Sequence, residues 1–351
     1  MHEIELKFGL PAAQLDAVRA ELARLGADIA RPQILQAAYF DTPDRRLAQA
    51  RAALRVRRED DEWVQTFKSA GLNTMVRVED NQPATPPASS AHGSADGEAL
   101  QPDLSRHHEA ARQVLMQALG WQPERDPPGH HSGLMALYRT DMRRTRARLT
   151  VATGTPHEGM VELALDEGAI LAGEGPQQRC EAVCELEIEL LSGSPQAVIL
   201  AAEAWVARFG LWLDTQTKAH RGDRLARQVL PMPRRPVAPA SPPDTPPTPW
   251  PIALESALGR YTRAMSALAS PSGPVAPDTV LSWRDASRAI AAVAHTESAQ
   301  PWAHDLAAQA EALAQRMAAS EPTQPETLTA LARSAEATRL ALAVFTVLLA
   351  V

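Results

Sequence analysis

Lysine is nearly missing from this 351-residue chain: Lys7, Lys68 and Lys218 are the only three among 35 Lys and Arg residues. Arg is a planar fork and Lys a compact point charge, so in an Arg-biased chain the positions that keep lysine are candidates for a site that needs the latter. Cysteine is scarcer still. Cys180 and Cys184 have no second pair at metal-ligand spacing, which argues against a disulfide scaffold or a zinc site and makes a reducing cytoplasm the simplest setting. Positive charge is not in excess either. A net charge of −7 and a pI near 5.8 give no bulk attraction to nucleic acid or to an anionic membrane, so any anion site must be local. Long apolar runs are also lacking. The stretch from Leu340 to Val351 is 12 residues, against the roughly 20 needed to span a bilayer, and reads as a buried helix end. Carboxylates begin at Glu3, so the opening does not read as a secretory leader.

What is present suggests two domains, since 45% hydrophobic content over this length can fill two cores. Residues 1–228 alternate short strand patterns with a few helices, residues 229–251 form a Pro-rich linker, and residues 252–351 read as an Ala-rich helical region used for packing. A second Pro-, Ala-, Ser- and Gly-rich stretch, about 81–105, has little to bury and is expected to be a disordered insertion. Apolar stripes predict helices at 12–25, 106–119 and 196–209. Trp205, Phe209 and Trp212 read as core aromatics, while the pairs His107-His108 and His130-His131 are expected to be exposed.

The strand candidates share a period of two. Glu3, Glu5 and Lys7 point one way and Ile4, Leu6 and Phe8 the other; Arg55 and Arg57 alternate with Leu54 and Val56, and Arg77 and Glu79 with Val76 and Val78. Glu162 and Asp166 oppose Val161, Leu163 and Leu165, and Glu185, Glu187 and Glu189 oppose Leu186, Ile188 and Leu190. One such run would be a solvated face. Five, with mixed charges on one side and helices available to cover the other, suit a sheet closed into a barrel with the charged face as its lumen. A lumen carrying both signs suits a polyanion bound with a metal. The basic groups neutralise phosphate oxygens, and the carboxylates hold Mg²⁺ or Mn²⁺.

Glu3-x-Glu5-x-Lys7 resembles the signature of the CYTH family, the triphosphate tunnel metalloenzymes. The likeness continues in order through Tyr39-Phe40-Asp41-Thr42-Pro43, Leu54-Arg55-Val56-Arg57, Thr66-Phe67-Lys68-Ser69 and Thr140-Asp141-Met142-Arg143-Arg144. It runs on through Glu162 to Gly168, Cys184 to Glu189 and Thr217-Lys218-Ala219-His220-Arg221-Gly222. The resemblance implies an α+β fold, an eight-stranded antiparallel β-barrel with flanking helices, followed by a small all-α C-terminal region. It is nearest to bacterial inorganic triphosphatases with a C-terminal helical CHAD domain. Residues 252–351 would be a truncated or degenerate version of that domain, about half its length and without its His- and Arg-rich pattern.

Carried over residue by residue, the likeness makes Lys7, Arg55, Arg57, Lys68, Arg144 and Lys218 triphosphate ligands, with Arg77 and Arg221 beside them. It makes Glu3, Glu5, Asp166, Glu185, Glu187 and Glu189 metal carboxylates, with Glu3, Glu5 and Lys7 the catalytic residues. Glu79 and Glu162 are placed on the same face by parity, and Arg146 and Arg148 share the parity of Arg144. The implied activity is metal-dependent hydrolysis of inorganic tripolyphosphate. Thiamine triphosphatase, class IV adenylyl cyclase and a non-catalytic polyphosphate-binding module are the alternatives, and no oligomeric state is readable.

Overall fold

Alternation in the sequence becomes two faces of one sheet. In the computed structural model, which describes residues 2–69, 76–86, 100–230, 249–270, 277–319 and 325–351, the strands are β1 (His2–Gly9), β2 (Gln33–Asp41), β3 (Ala52–Glu59), β4 (Glu62–Ser69), β5 (Val76–Pro83), β6 (Met135–Val151), β7 (Gly159–Ala172), β8 (Arg179–Gly193) and β9 (Trp212–Leu213). All pairings are antiparallel, in the order β5-β4-β3-β2-β6-β7-β8-β1-β9. β1 is shared. Its start pairs with β5 (His2↔Val78, Glu3↔Arg77, Ile4↔Val76), its body with β8 (Glu5↔Glu189 to Gly9↔Glu185), and its end with β9. The two ends of the sheet therefore meet over three residue pairs, which makes a barrel-like tunnel.

The helices are α1 (Leu15–Arg24), α2 (Arg46–Gln49), α3 (Glu109–Leu119), α4 (Gln196–Phe209), α5 (Lys218–Val229), α6 (Trp250–Ala269), α7 (Pro277–Thr296), α8 (Ala303–Ala319), α9 (Pro325–Ala332) and α10 (Ala335–Leu349). Helices α1 to α5 lie against the outer, apolar face of the sheet, and α6–α10 pack on one another and on α4. Leu6, Phe8, Leu163, Leu165, Leu186 and Ile188 pack there against Val18 and Leu22 of α1 and Val198, Ala202 and Trp205 of α4. Each such burial contributes roughly 1.5–3 kcal/mol. A smaller core sets Leu115 and Leu119 of α3 on Phe40, Leu54 and Phe67, and a third sets Leu225 and Ala226 of α5 on Ile170 and Val183. With the apolar residues outside, the interior is left to charge.

The large core is continuous from the sheet through α4 into α6–α10, where Tyr261, Trp283 and Phe345 are buried. Polar bonds fasten the same junction: Leu213 N donates to Thr338 Oγ1 (3.1 Å), Thr215 N to Ser266 Oγ (2.9 Å) and Gln216 Nε2 to the Ser266 carbonyl (2.8 Å). Leu340, Ala341 and Leu342 are buried in α10, as read for the apolar run. Among the described residues no helix is long and apolar enough to cross a membrane.

Three expectations need correction. The insertion is shorter than 81–105: β5 runs to Pro83, and Gln65 bonds both the carbonyl and the amide of Asp103 (2.7 and 3.0 Å), while Arg106 holds the Pro83 carbonyl and Thr85. Residues 87–99 lie outside the described residues. His107 is buried, with Nδ1 3.1 Å from Asp80 Oδ2 and its ring against Phe67, whereas His108, His130 and His131 are exposed. Lys218, read beside strand-like sequence, is the first residue of α5, started by Thr217, whose side chain accepts from His220 N.

Candidate active site

Register lines the lumen with rows of charge. Across β1, β8, β7 and β6, one row is Glu5–Glu189–Glu162–Arg148, the next Lys7–Glu187–Ala164–Arg146, and the third Gly9–Glu185–Asp166–Arg144. Side chains at paired positions share a face, and most of these surround a cavity of about 1760 Å³. That exceeds the roughly 300–1,000 Å³ usual for small-molecule sites.

At the centre, carboxylate oxygens of Asp166, Glu185 and Glu187 lie within 4.8 Å of one another. Lys218 Nζ sits among them, 2.7 Å from Asp166 and 2.9 Å from Glu187, and bonds Glu185 as well. Arg144 grips Asp166 with two nitrogens (2.6 and 2.7 Å) and also bonds Glu187, which singles it out from Arg146, half-exposed near Glu162, and Arg148, exposed. Lys7 Nζ lies 3.1 Å from Glu185 and 3.5 Å from Asp214.

The electrostatics follow from this crowding. Burial opposes ionisation of Glu187, but Arg144 and Lys218 outweigh it and hold the carboxyl well below its usual range. Asp166 is held low against burial by Lys218 and Arg144, and Glu185 by Lys218 and Lys7. Burial would likewise lower Lys218, but Asp166, Glu185 and Glu187 raise it well above the usual lysine value. The trio is thus fully charged and already cation-paired. Three hard oxygen donors within reach of one centre fit a divalent cation, and an ammonium stands where one would compete.

β3 presents the opposite condition. Burial and the neighbouring Arg55 push the Arg57 guanidinium down to about 10, with Glu59 only partly opposing. Arg55 donates to Tyr39 Oη at 3.4 Å, and its buried Nε has no hydrogen-bond partner. Lys68 pairs with Glu79 at 2.7 Å. Arg57 is paired with Glu59 (2.7 Å), so this wall sets two carboxylates, Glu59 and Glu79, against three cations, while the other wall is carboxylate-rich and neutralised.

Of the sequence-derived residues, Glu5, Lys7, Arg55, Arg57, Lys68, Glu79, Arg144, Glu162, Asp166, Glu185, Glu187, Glu189 and Lys218 line this one cavity. Glu3 and Arg77 are Cα partners, and their side chains lie outside the described residues. Arg221 is not on the wall. Its guanidinium is taken by Glu181 (2.7 Å), Glu185 (3.3 Å) and the Ala182 carbonyl (2.7 Å), so it braces Glu185 from behind. Sequence reasoning assigned no role to Asp214, Glu181, Arg45 or the stacked rings of Tyr39 and Tyr138 (4.7 Å apart). Arg45, 1% exposed, lies 2.8 Å from Asp223 and ties α5, and so Lys218, to the turn after β2.

Glu189 is pushed up to about 7 by burial and by the like charges of Glu5 and Glu162. Between the ordinary carboxylate value and that one, the folded protein keeps a proton that the unfolded chain has lost, so stability falls as pH rises through this window and levels off above it. Glu189→Gln cannot ionise and should gain stability relative to the unsubstituted protein from pH 5 to pH 8 in metal-free buffer, by on the order of 2–3 kcal/mol. Denaturant melts at both pH values test this; a constant difference would mean that Glu189 titrates normally.

Cys180 is exposed, and burial pushes the Cys184 thiol up to about 11, which leaves it unreactive at neutral pH.

Residues 1–222 match the CYTH domain model. The chain is similar to the inorganic triphosphatase of Haemophilus influenzae, with 26% identity over 225 residues, 63% of this chain and 54% of that protein. It thus spans about half the length of this curated relative. Among solved structures, a candidate adenylate cyclase from Bacillus halodurans has 20% identity and a TM-score of 0.36, covering 58% of this chain and 88% of that one. A candidate adenylyl cyclase from Hippeastrum, described as having a dominant triphosphatase activity, has 20% identity and a TM-score of 0.34, covering 60% and 89%.

Proposed function

This chain belongs to the CYTH family, and on that footing we propose that it is a triphosphatase that uses Mg²⁺ or Mn²⁺ to cleave inorganic tripolyphosphate into diphosphate and phosphate. One observation carries the reading: a wall with three cations to two carboxylates faces the same lumen as a clustered carboxylate trio. A second favours an inorganic substrate over a nucleotide. The only Phe, Tyr or Trp rings on the described cavity wall, Tyr39 and Tyr138, are stacked on each other, so no second aromatic stands apart there to sandwich a base. Residues 1–228 would form the catalytic unit, with 229–251 as linker and 252–351 as the helical region.

Phosphoryl transfer needs positioning and charge stabilisation more than covalent chemistry. Asp166, Glu185 and Glu187 would hold the cation, which would supply charge neutralisation to the phosphate oxygens. Arg55, whose Nε has no hydrogen-bond partner, and Arg57, which shares Glu59, offer their guanidiniums to the anion. Lys7, Lys68 and Lys218 add point charges from β1, β4 and α5. Glu5 and Glu189, opposite one another on β1 and β8, orient the attacking water, and the Glu189 carboxylate, titrating near 7, can take its proton at neutral pH.

Glu5→Gln should lower Mg²⁺- or Mn²⁺-dependent phosphate release from tripolyphosphate at least a hundredfold, a loss of about 3 kcal/mol, with the melting curve kept. Near-normal turnover would remove Glu5 from the machinery. Parallel thermal shifts with tripolyphosphate, ATP and thiamine triphosphate should be largest for the first; a larger shift with ATP, together with cyclic AMP formation, would replace this reading with a cyclase.

A further inference from the structure

The cavity does not stop at the strands. Its wall continues onto α6, where Ile252, Glu255, Ser256, Gly259 and Arg263 line it, beyond the residues 1–222 that match the family. α6 is held there by the clasp of Thr215 and Gln216 on Ser266, one turn of chain before Lys218. Thr215 and Gln216 follow β9, which pairs with the end of β1 (Phe8↔Leu213, Gly9↔Trp212), on the side of the sheet where β2 and β4 finish and β3 begins.

Four arginines line this end, and they differ in what they touch. Arg227 is paired with Asp223 (2.8 Å) and Arg224 with Glu181 (3.0 Å). Arg263 and Arg51 are exposed, and among the described residues neither has a carboxylate within ion-pairing distance. Arg263 lies back along its helix over Gly259, where a Cβ would stand 3.5 Å from Arg263 Nη1, and both residues line the cavity. Arg51, in the turn before β3, is held at φ 54°.

We propose that Arg263, together with Arg51, receives the phosphate at the outer end of the incoming anion, so that the helical region completes the substrate site. This rests on the triphosphatase reading. The interior arginines and lysines hold the reacting part of the chain, and the two outer guanidiniums capture the part still in the mouth. A planar fork with no carboxylate partner among the described residues suits phosphate oxygens, and its attraction weakens with salt because the site is open to solvent.

Titration calorimetry with sodium tripolyphosphate on the full chain tests it. Arg263→Glu should weaken binding about tenfold or more and flatten its salt dependence, and Arg263→Gln should fall between it and the unsubstituted protein. Arg260→Glu, an exposed charge on the same helix but off the cavity wall, should stay within about twofold. Unchanged affinity in Arg263→Glu would overturn the inference while leaving the triphosphatase reading in place, and so would an equal loss in Arg260→Glu, which would mean bulk charge alone. If the unsubstituted protein does not bind tripolyphosphate, both readings fall together.

Discussion

Lys218→Met should leave the metal-free protein several kcal/mol less stable, and added Mg²⁺ or Mn²⁺ should restore most of the loss. The ammonium bonds three carboxylates at once, two of them only 1% exposed. Taking one partner out of a buried ionic network typically costs about 3–5 kcal/mol, because the remaining charges are left without compensation. Methionine keeps the length and apolar stem of lysine, so the loss reports charge rather than a cavity. A divalent cation among Asp166, Glu185 and Glu187 would replace the missing charge and should stabilise the variant more than the unsubstituted protein, where Lys218 competes for the same oxygens. Melting curves with and without metal decide it. A small loss, or an equal metal effect in both proteins, would show that the trio is not a cation site.

Arg57→Met should move stability and binding in opposite directions. Burial and the charge of Arg55 push the Arg57 guanidinium down to about 10, and the bond to Glu59 (2.7 Å) only partly offsets them. Its removal should therefore stabilise the empty protein by about 1–3 kcal/mol. The same substitution removes a donor from the anion's wall and should raise the KM for tripolyphosphate by at least tenfold, about 1.4 kcal/mol. A structural arginine would lose stability when replaced, so a fall in both quantities would refute the assignment. Arg55 differs: Tyr39 and Glu79 hold its guanidinium up against burial, so its removal carries no such gain in stability.

Much of this was legible because a strand encodes its faces locally. Glu5 and Lys7 against Leu6 and Phe8, or Glu185 and Glu187 against Leu186 and Ile188, need no partner to be read as two sides of a ribbon. The same alternation in several segments placed the charges inside once helices were found to cover the apolar sides. What escaped depends on pairs far apart in the chain. Asp214 and Glu181 belong to the site only because they touch Lys7 and Arg221. His107 is buried because Asp80 waits for it, and the end of the stretch read as disordered is placed by Gln65 bonding Asp103. Lys218 begins a helix that has little apolar periodicity near its start, so only the Thr217 cap marks it. Arg263 was invisible for a different reason. An isolated arginine in an Ala-rich helix has no pattern, and its meaning comes from the cavity that the helix borders.

The divided pairing of β1 has a consequence for biosynthesis. β1 leaves the ribosome before both its partners and must wait for β5 and then for β8, since Glu3 pairs with Arg77, Glu5 with Glu189 and Lys7 with Glu187. Such high contact order slows folding. Until the chain beyond residue 193 has emerged, Leu6 and Phe8 lack their β8 partners and the edge of β1 is open to association with other chains. Nascent fragments that end before β8 should therefore bind chaperones or aggregate, and protection of the β1 amides should appear only after β8 has been released.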